Sequence, residues 1–492
     1  MTTNANPQQP AVGPGTVPQA APADEAPPPW RALPIILVPV FMVTLDVFIV
    51  NVAIPSIQSK LHASPASIQW VISGFALALG VGLITAGRLG DLYGRRRLFA
   101  IGLAVFTAAS AACGFAPDAG FLIGARVVQG FGGALMQPQA LALLGIIYTG
   151  ANRARAFAWY GLAMGMAGVF GQLIGGALIK ANIGNSDWRS IFLINVPVGL
   201  AALALIVLLV PNSKSAGKAR LDLPGGLLAM CTVVAVVLPL IEGRQQHWPA
   251  WTWACLAAAV PLLGAFVAYQ RWLGRKGGSP LVDMGLFRER AFSVGLIINL
   301  VYFSAMTSFF LILALYLQSG LGLSPLQSGL VFLPLGTGFF LASLRATRLA
   351  ARLGRQALAI GALAVAVGYA LLGVSVHEIG TTGEAAWMVP GLLVAGFGMG
   401  VVMAPLVSLV LSNITPQYAA AASGVLSTAS QVGNALGVAV IGILFYGVLG
   451  NNPTAASYPH AFVPSIELLT GLALLVAILL QLITPRRREA KN

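Results

Sequence analysis

Charge is scarce in this chain. Aspartate, glutamate, lysine and arginine make up 9% of its 492 residues, against roughly 25% in an ordinary soluble domain. A chain so poor in charge cannot clothe a water-facing globule, and it reads as an integral membrane protein. Cysteine is scarcer still. Cys113, Cys231 and Cys255 each lie inside an apolar run, which argues against a disulfide framework or a thiolate metal cluster. The four histidines (His62, His247, His377 and His460) are scattered without ligand spacing. There is no GxxxxGK[ST] loop to cradle a nucleotide and no pattern pairing a nucleophile with a base. No metal, no cofactor and no enzymatic activity are therefore expected, and a solute gradient remains as the source of energy for any transport.

What is abundant is apolar. Hydrophobic residues make up 57% of the chain and the formal net charge is +14. That excess of positive charge resembles a nucleic-acid signal until its distribution is read. The basic residues fall in short segments between apolar runs, which is a topological pattern and not a binding patch. A nucleic-acid partner is not expected.

Fourteen apolar runs are long enough to span a bilayer, from Leu33–Ile54 to Ile466–Ile483; about 20 residues suffice. With the N-terminus placed in the cytoplasm, all but five of the 28 lysines and arginines fall on the cytoplasmic side. Lys60, Lys180, Arg189 and Arg244 fall outside, and Arg126 sits within span 4. A bias of that size is what the positive-inside rule demands, and a miscounted span would scramble it. Both termini are then cytoplasmic, and the protein is expected to be a multi-pass protein of the cell membrane. Residues 1–30 are rich in Pro, Ala, Gln and Asn; they are expected to be disordered and not a signal peptide.

The chain repeats itself. RLGDLYGRRRL begins at Arg88 after span 2, and RLAARLGRQAL begins at Arg348 after span 10. GFGGALMQP begins at Gly130 in span 4, and GFGMGVVMAP at Gly396 in span 12. Parallel repeats of this kind build one large class of transporters. The expected fold is all-α: two six-helix bundles, residues 31–210 and 291–483, with two inserted helices in 211–290 and a basic tail at 484–492. Asp91 becomes Ala351 in the repeat, and span 12 has no counterpart to Arg126, so the charged chemistry is concentrated in the first half.

Asp46 lies in the middle of span 1, within ALPIILVPVFMVTLDVFIVNVAIP. An ionised carboxylate in hydrocarbon is costly, and such residues usually mark an ion or proton pathway. Low-dielectric surroundings favour the neutral form of a carboxyl, so Asp46 is a candidate proton carrier; a permanently satisfied structural carboxyl is the plainer alternative. Arg126 cannot usefully give up its proton, but it can hold a nearby carboxylate ionised, or anchor one helix to another. Gly87, Asp91, Gly94, Arg95 and Arg96 form a loop cluster. Asp91 adds nothing to the positive-inside pattern, and it is expected to latch onto the positive N-terminus of another helix, most plausibly span 13, in the outward-open state.

These segments together resemble a known family. GRLGDLYGRRR resembles the signature loop of the major facilitator superfamily. LDVFIVNVAIP in span 1, RVVQGFGGAL in span 4 and DWRSIFLINVPVG at the start of span 6 resemble its fourteen-span drug:proton antiporters. The resemblance implies export of a small molecule against inward proton flow, with Asp46 and Arg126 coupling the two. A lipid or metabolite exporter on the same scaffold is the alternative, and a transport-dead receptor a more distant one. The expected partners are protons, a small-molecule substrate and membrane lipids, with the protein a monomer. The antiporter pattern of span 5 departs here: GMAGVFGQLIGG carries Gln172 where the family has Pro, and the loss of a proline removes an expected kink. Gly165, Gly168, Gly171, Gly175 and Gly176 still permit close helix approach. Polar and aromatic candidates for a substrate cavity are Asn51, Gln129, Gln137, Gln172, Asn299, Tyr302, Phe303, Phe310, Gln431 and Asn434. Each alone is more readily a packing residue than a substrate contact. Together they describe an apolar cavity with few polar points, which suits a hydrophobic or amphiphilic solute.

Overall fold

A computed structural model describes residues 30–210, 222–411, 414, 419–450 and 452–483. Residues 1–29 and 484–492, the basic residues Lys214, Lys218 and Arg220, and the turn leading into the thirteenth span lie outside the described residues.

Every regular element described is helical. The spanning helices are α1 (Ala32–Lys60), α2 (Pro65–Tyr93), α3 (Arg95–Gly114), α4 (Ala119–Ile147), α5 (Gly150–Ala181), α6 (Asn195–Leu209) and α7 (Leu223–Glu242). They continue as α8 (Ala250–Arg275), α9 (Arg290–Leu315), α10 (Leu333–Leu353), α11 (Arg355–Ile379), α12 (Val389–Leu411), α13 (Ala419–Leu449) and α14 (Ser457–Gln481). Thirteen helices among the described residues are long and apolar enough to cross a bilayer, and the bent α5 makes fourteen. Short helical turns lead into α6 and α10, the second ending where Pro334 starts the new helix. Several helices outrun the apolar runs that foretold them. A 29-residue helix such as α1 is about 43 Å long at 1.5 Å per residue, against a hydrocarbon core of about 30 Å.

Local chemistry starts and stops these helices. The Ser64 hydroxyl accepts from Ser67 N and Pro65 opens α2, an ordinary N-terminal cap. Asp118 does the same for α4 and Asp222 for α7. Gly94, at φ +98°, turns the chain between α2 and α3, a conformation that favours glycine.

Packing follows the repeat. In the first half a side chain at Gly130 would press on the Phe75 carbonyl of α2, and one at Gly132 on the Phe106 backbone of α3. In the second half Gly396 abuts the Leu335 carbonyl before α10's second turn, and Gly398 abuts Gly361 of α11. The same motif thus performs the same close approach twice, as small residues do where no hydrophobic force separates lipid from helix. Helices α7 and α8 pack on each other and, through α7, on α2 and α13. The architecture is two six-helix bundles with an inserted pair.

The halves meet along two seams. In one, Thr428 Oγ donates to Gly80 O at 3.0 Å and Ser73 Oγ to Ala435 O at 3.3 Å, joining α2 to α13. In the other, Gly176 of α5 lies against the Pro325 carbonyl, and Gly329 against the Gln172 backbone. Gln318 Nε2 adds a bond to Val52 O of α1 at 2.9 Å. The Thr428 bond lies at the middle of α2, and the other contacts lie in the half of the molecule away from the arginine-rich loops.

The absent proline does not straighten α5. The segments Arg155–Gly168 and Phe170–Ala181 meet at 49°, which corrects the expectation of a lost kink. Glycine accounts for it: Gly168 and Gly171 admit the Phe48 side chain, and Gly175 admits Ile49 and Val52. Helices bend at glycine as well as at proline.

Candidate functional site

Asp46 and Arg126 form a buried ion pair. Arg126 Nη1 donates to Asp46 Oδ2, and both side chains are enclosed, at 0% and 1% exposure. The pair is held from every side. Gln129, one turn along α4 from Arg126, donates Nε2 to Asp46 Oδ1 at 2.9 Å and accepts from Arg126 Nη1 at 2.8 Å. Arg126 Nε donates to Val71 O at 3.0 Å, and its guanidinium lies over the Phe75 ring at 4.1 Å. Asn195 at the head of α6 reaches Asp46 Oδ1 at 3.5 Å and Ser110 Oγ at 3.0 Å. Cys113 Sγ approaches Gln129 Oε1 at 3.6 Å. An isolated buried charge of either sign would be very costly; here each has a counter-charge and further hydrogen bonds, the condition under which buried pairs are tolerated.

Five helices, α1, α2, α3, α4 and α6, therefore contribute to one polar cluster inside the first half. It lies between the middle of α1 and the N-terminal turns of α4 and α6, away from the basic loops. A proton on the carboxylate would leave Arg126 its hydrogen bonds to Val71 O and Gln129 Oε1 and the Phe75 face, but not its counter-charge.

The halves enclose an apolar cavity of about 470 Å³ of atom-free space, partly continuous with solvent. Phe48 and the α5 segment Met164–Gly168 line one side; Met306, Phe310, Phe332, Phe339, Met399 and Met403 line the other. Phe310 stacks on Phe332 at 5.6 Å and meets Phe48 edge-on at 5.1 Å. Thioethers bend around ligands of different shape, and aromatic faces give area without polar demand.

Of the ten cavity candidates read from sequence, Phe310 lines this space. Tyr302 lines a smaller void between α9, α11, α12 and α14 and donates to Met399 O at 3.3 Å; Phe303 packs edge-on against it, half-buried. The others named are mostly bonded between helices. Asn299 donates to Leu426 O at 3.0 Å and Ser430 Oγ at 2.9 Å. Asn434 accepts from Thr307 Oγ at 2.6 Å and donates to Gln431 at 3.0 Å. Asn51 and Gln172 both donate to the carbonyl of Phe48, at 3.1 and 3.0 Å. Gln129 belongs to the ion pair. Gln137 is half-buried on α4. Residues not anticipated are Phe48 and the methionines at the cavity, and Asn195, Ser110 and Cys113 at the pair. The methionines gave no signal in an apolar sequence, whereas Asn195 offered one, as a polar residue near the start of span 6, that the sequence reading did not take up.

At the basic loop Asp91 accepts from Arg95 at 2.8 Å, and Arg96 Nη1 donates to Val210 O at 3.0 Å at the end of α6. Gly87 faces open space, while Gly90 lies against the Gln139 amide.

This fold is that of a multi-span membrane transporter. Residues 36–438 match the family model described as Major Facilitator Superfamily, and the chain belongs to that superfamily. It is 38% identical to a probable actinorhodin transporter of Streptomyces coelicolor, over 91% of this chain and 78% of the relative. It is 35% identical to the puromycin resistance protein of Streptomyces alboniger, over 97% and 96%. It is 36% identical to a tetracenomycin C resistance and export protein of Streptomyces glaucescens, over 86% and 77%. Among solved structures, a POT family transporter in complex with 5-aminolevulinic acid matches with a TM-score of 0.66 at 15% identity, over 92% of this chain and 97% of that one; this likeness concerns the fold.

Proposed function

We propose that the protein is a proton-coupled exporter of hydrophobic or amphiphilic small molecules, antibiotics among them, working by alternating access. The buried Asp46–Arg126 pair, set behind an apolar Phe- and Met-lined cavity, carries this reading. The names of the relatives, which speak of actinorhodin, puromycin and tetracenomycin C, support the substrate class.

The basic loops are taken as cytoplasmic, with both termini on that side. The seams then lie towards the outer side, which supports an inward-facing arrangement in which substrate enters from the cytoplasm or inner leaflet. In this reading a proton from the outer side reaches Asp46 in the alternate state and forms the neutral carboxyl. The proton leaves to the cytoplasm when the inward-facing state returns, and Arg126 re-forms the ion pair. Asn195 and Ser110 orient the carboxylate. The Asp91 cluster acts as the latch of the outward-facing state, and its pairing with Arg95 is then its resting arrangement in the inward-facing one. The protein acts as a monomer among membrane lipids.

The test is efflux from proteoliposomes. An imposed inward proton gradient should drive a fluorescent amphiphile out of the lumen against its own gradient in the wild-type protein. Equal transport with and without the proton gradient would overturn the coupling.

A further inference from the structure

The inserted helices touch both halves where the halves meet. Val237 and Ile241 of α7 share an apolar cluster with Ala66, Ala76 and Leu77 of α2 and with Ala435 and Ala439 of α13. Two polar bonds mark the outer end of that cluster, two residues apart. Trp70 Nε1 of α2 donates to Glu242 Oε1 at 2.8 Å. The Arg244 guanidinium, just past α7, donates to the Tyr446 carbonyl of α13.

At the opposite end the pair is bonded to α2 again. Arg88 donates to the carbonyls of Ser279 and Pro280 in the linker that follows α8. The next two linker amides are tied to the hairpin itself: Leu281 N to Asp222 Oδ2 at 3.4 Å, and Val282 N to Gln270 Oε1 at 3.2 Å. Gln270 Nε2 closes the set by donating to Asp222 Oδ2 at 2.7 Å. Among the described residues, the inserted pair with its following linker is thus bonded to α2 at both ends and to α13 at one.

We infer that α7 and α8 move with the first bundle and that Arg244 is a releasable outer latch onto the second. The inference rests on the alternating-access reading above. If α2 and α13 part at their outer ends, a unit bonded to both must let one go. Two anchors some 30 Å apart, the thickness of the hydrocarbon core, fix it to α2 against rotation as well as translation, whereas a single bond at one end does not. The bond to α13 is also the one built to release. Its acceptor, Tyr446 O, already takes the Gly450 amide at 3.2 Å, so departure of Arg244 leaves no carbonyl without a partner.

The experiment is pulsed electron-electron distance measurement on full-length protein in lipid nanodiscs. Cys113, Cys231 and Cys255 are replaced, and spin labels are placed pairwise at the exposed sites Lys60, Gln245 and Ala455. In the unmodified background the 60–245 distance should stay single, while 245–455 and 60–455 each show a short and a long population. Arg244→Ala should raise the long fraction at least threefold; Arg244→Gln, too short to reach the carbonyl, should do the same should the alanine variant fold poorly. Long fractions unmoved by either variant would overturn the latch alone. A split 60–245 distance beside a single 245–455 distance would show that the pair follows the second bundle and overturn the assignment. One population for every pair, at every pH, would overturn the latch and the alternating-access reading together.

Discussion

Asp46 and Phe48 stand two residues apart on α1 and face opposite ways. Asp46 points at Arg126 on α4, and Phe48 points at Gly168 of α5 and the cavity. Two residues along a helix turn through about 200° at 3.6 residues per turn. One rigid helix therefore joins the candidate proton site to the candidate substrate site, and a shift of α1 on losing its ion pair must move the Phe48 ring. The Phe48 carbonyl is pinned by Asn51 and Gln172, which keeps that transmission stiff. Asp46→Asn should abolish proton-driven efflux, by at least tenfold, while substrate exchange at equal pH on both sides persists. Proton-driven rates within twofold of wild type would remove Asp46 from the coupling.

Removing one charge of the ion pair and removing both should differ in stability and agree in transport. Asp46→Ala strands a buried guanidinium, and breaking a buried pair from one side costs about 3–5 kcal/mol. Asp46→Asn/Arg126→Gln leaves two neutral amides beside Gln129 and Asn195, which can bond one another. The double variant should unfold at a higher temperature than Asp46→Ala, approaching wild type, yet remain unable to couple. Thermal unfolding in detergent and a pH-jump efflux assay separate the two effects. A double variant less stable than Asp46→Ala would contradict the charge-stranding argument.

The spans were legible because lipid enforces them: with no water to take backbone groups, an apolar run of sufficient length has to be a helix. The GFG motifs at Gly130 and Gly396 were legible as a repeat, since the same close approach needs the same small residue twice. Asp46 and Arg126 stood out because charge in an apolar run is rare, but their contact depends on how α1 and α4 are rotated, which no single run encodes. The cavity was harder to see. Polar residues in spans drew notice, yet Asn299 and Gln172 turn out to donate to backbone carbonyls of other helices and Asn434 to accept from Thr307. Met306, Met399 and Phe48 face the cavity and look like any other apolar residue in an apolar chain. The bend in α5 was misread for a related reason: a proline was sought, and a spacing of glycines sufficed.

The Met and Phe lining predicts a broad substrate range that narrows when the wall stiffens. Met306→Val/Met399→Val exchanges two flexible thioethers for short branched side chains held to one rotamer. Transport of one compact amphiphile should survive, while the number of structurally distinct dyes exported should fall. Phe310→Ala removes the ring between Phe48 and Phe332 and should raise KM across all of them by about tenfold, the loss of roughly 1.4 kcal/mol of contact. A dye panel in a pump-deficient host measures both. An unchanged range in the double methionine variant would show that the thioethers are mere packing.

Gly176 tests the outer seam. A Cβ there would press on the Pro325 carbonyl and lie 2.8 Å from Leu326 Cα. The obstruction is backbone, so no rotamer change relieves it, and overpacking of this kind costs about 1–3 kcal/mol. The same Cβ costs nothing once α5 and the 325–331 helix part. Gly176→Val should therefore bias the protein towards the state with the outer side open, by about 1.4 kcal/mol or one factor of ten at the lower end of that range. A cysteine at Met164, on the cavity side of α5, should then react more slowly with a membrane-impermeant maleimide added from the basic side, and faster with one added from the other. Gly161→Val, on the same helix with nothing within 4 Å of its Cβ position, serves as the control and should leave both rates alone. Unchanged labelling in Gly176→Val would mean that the close approach at Pro325 is not part of what opens and closes.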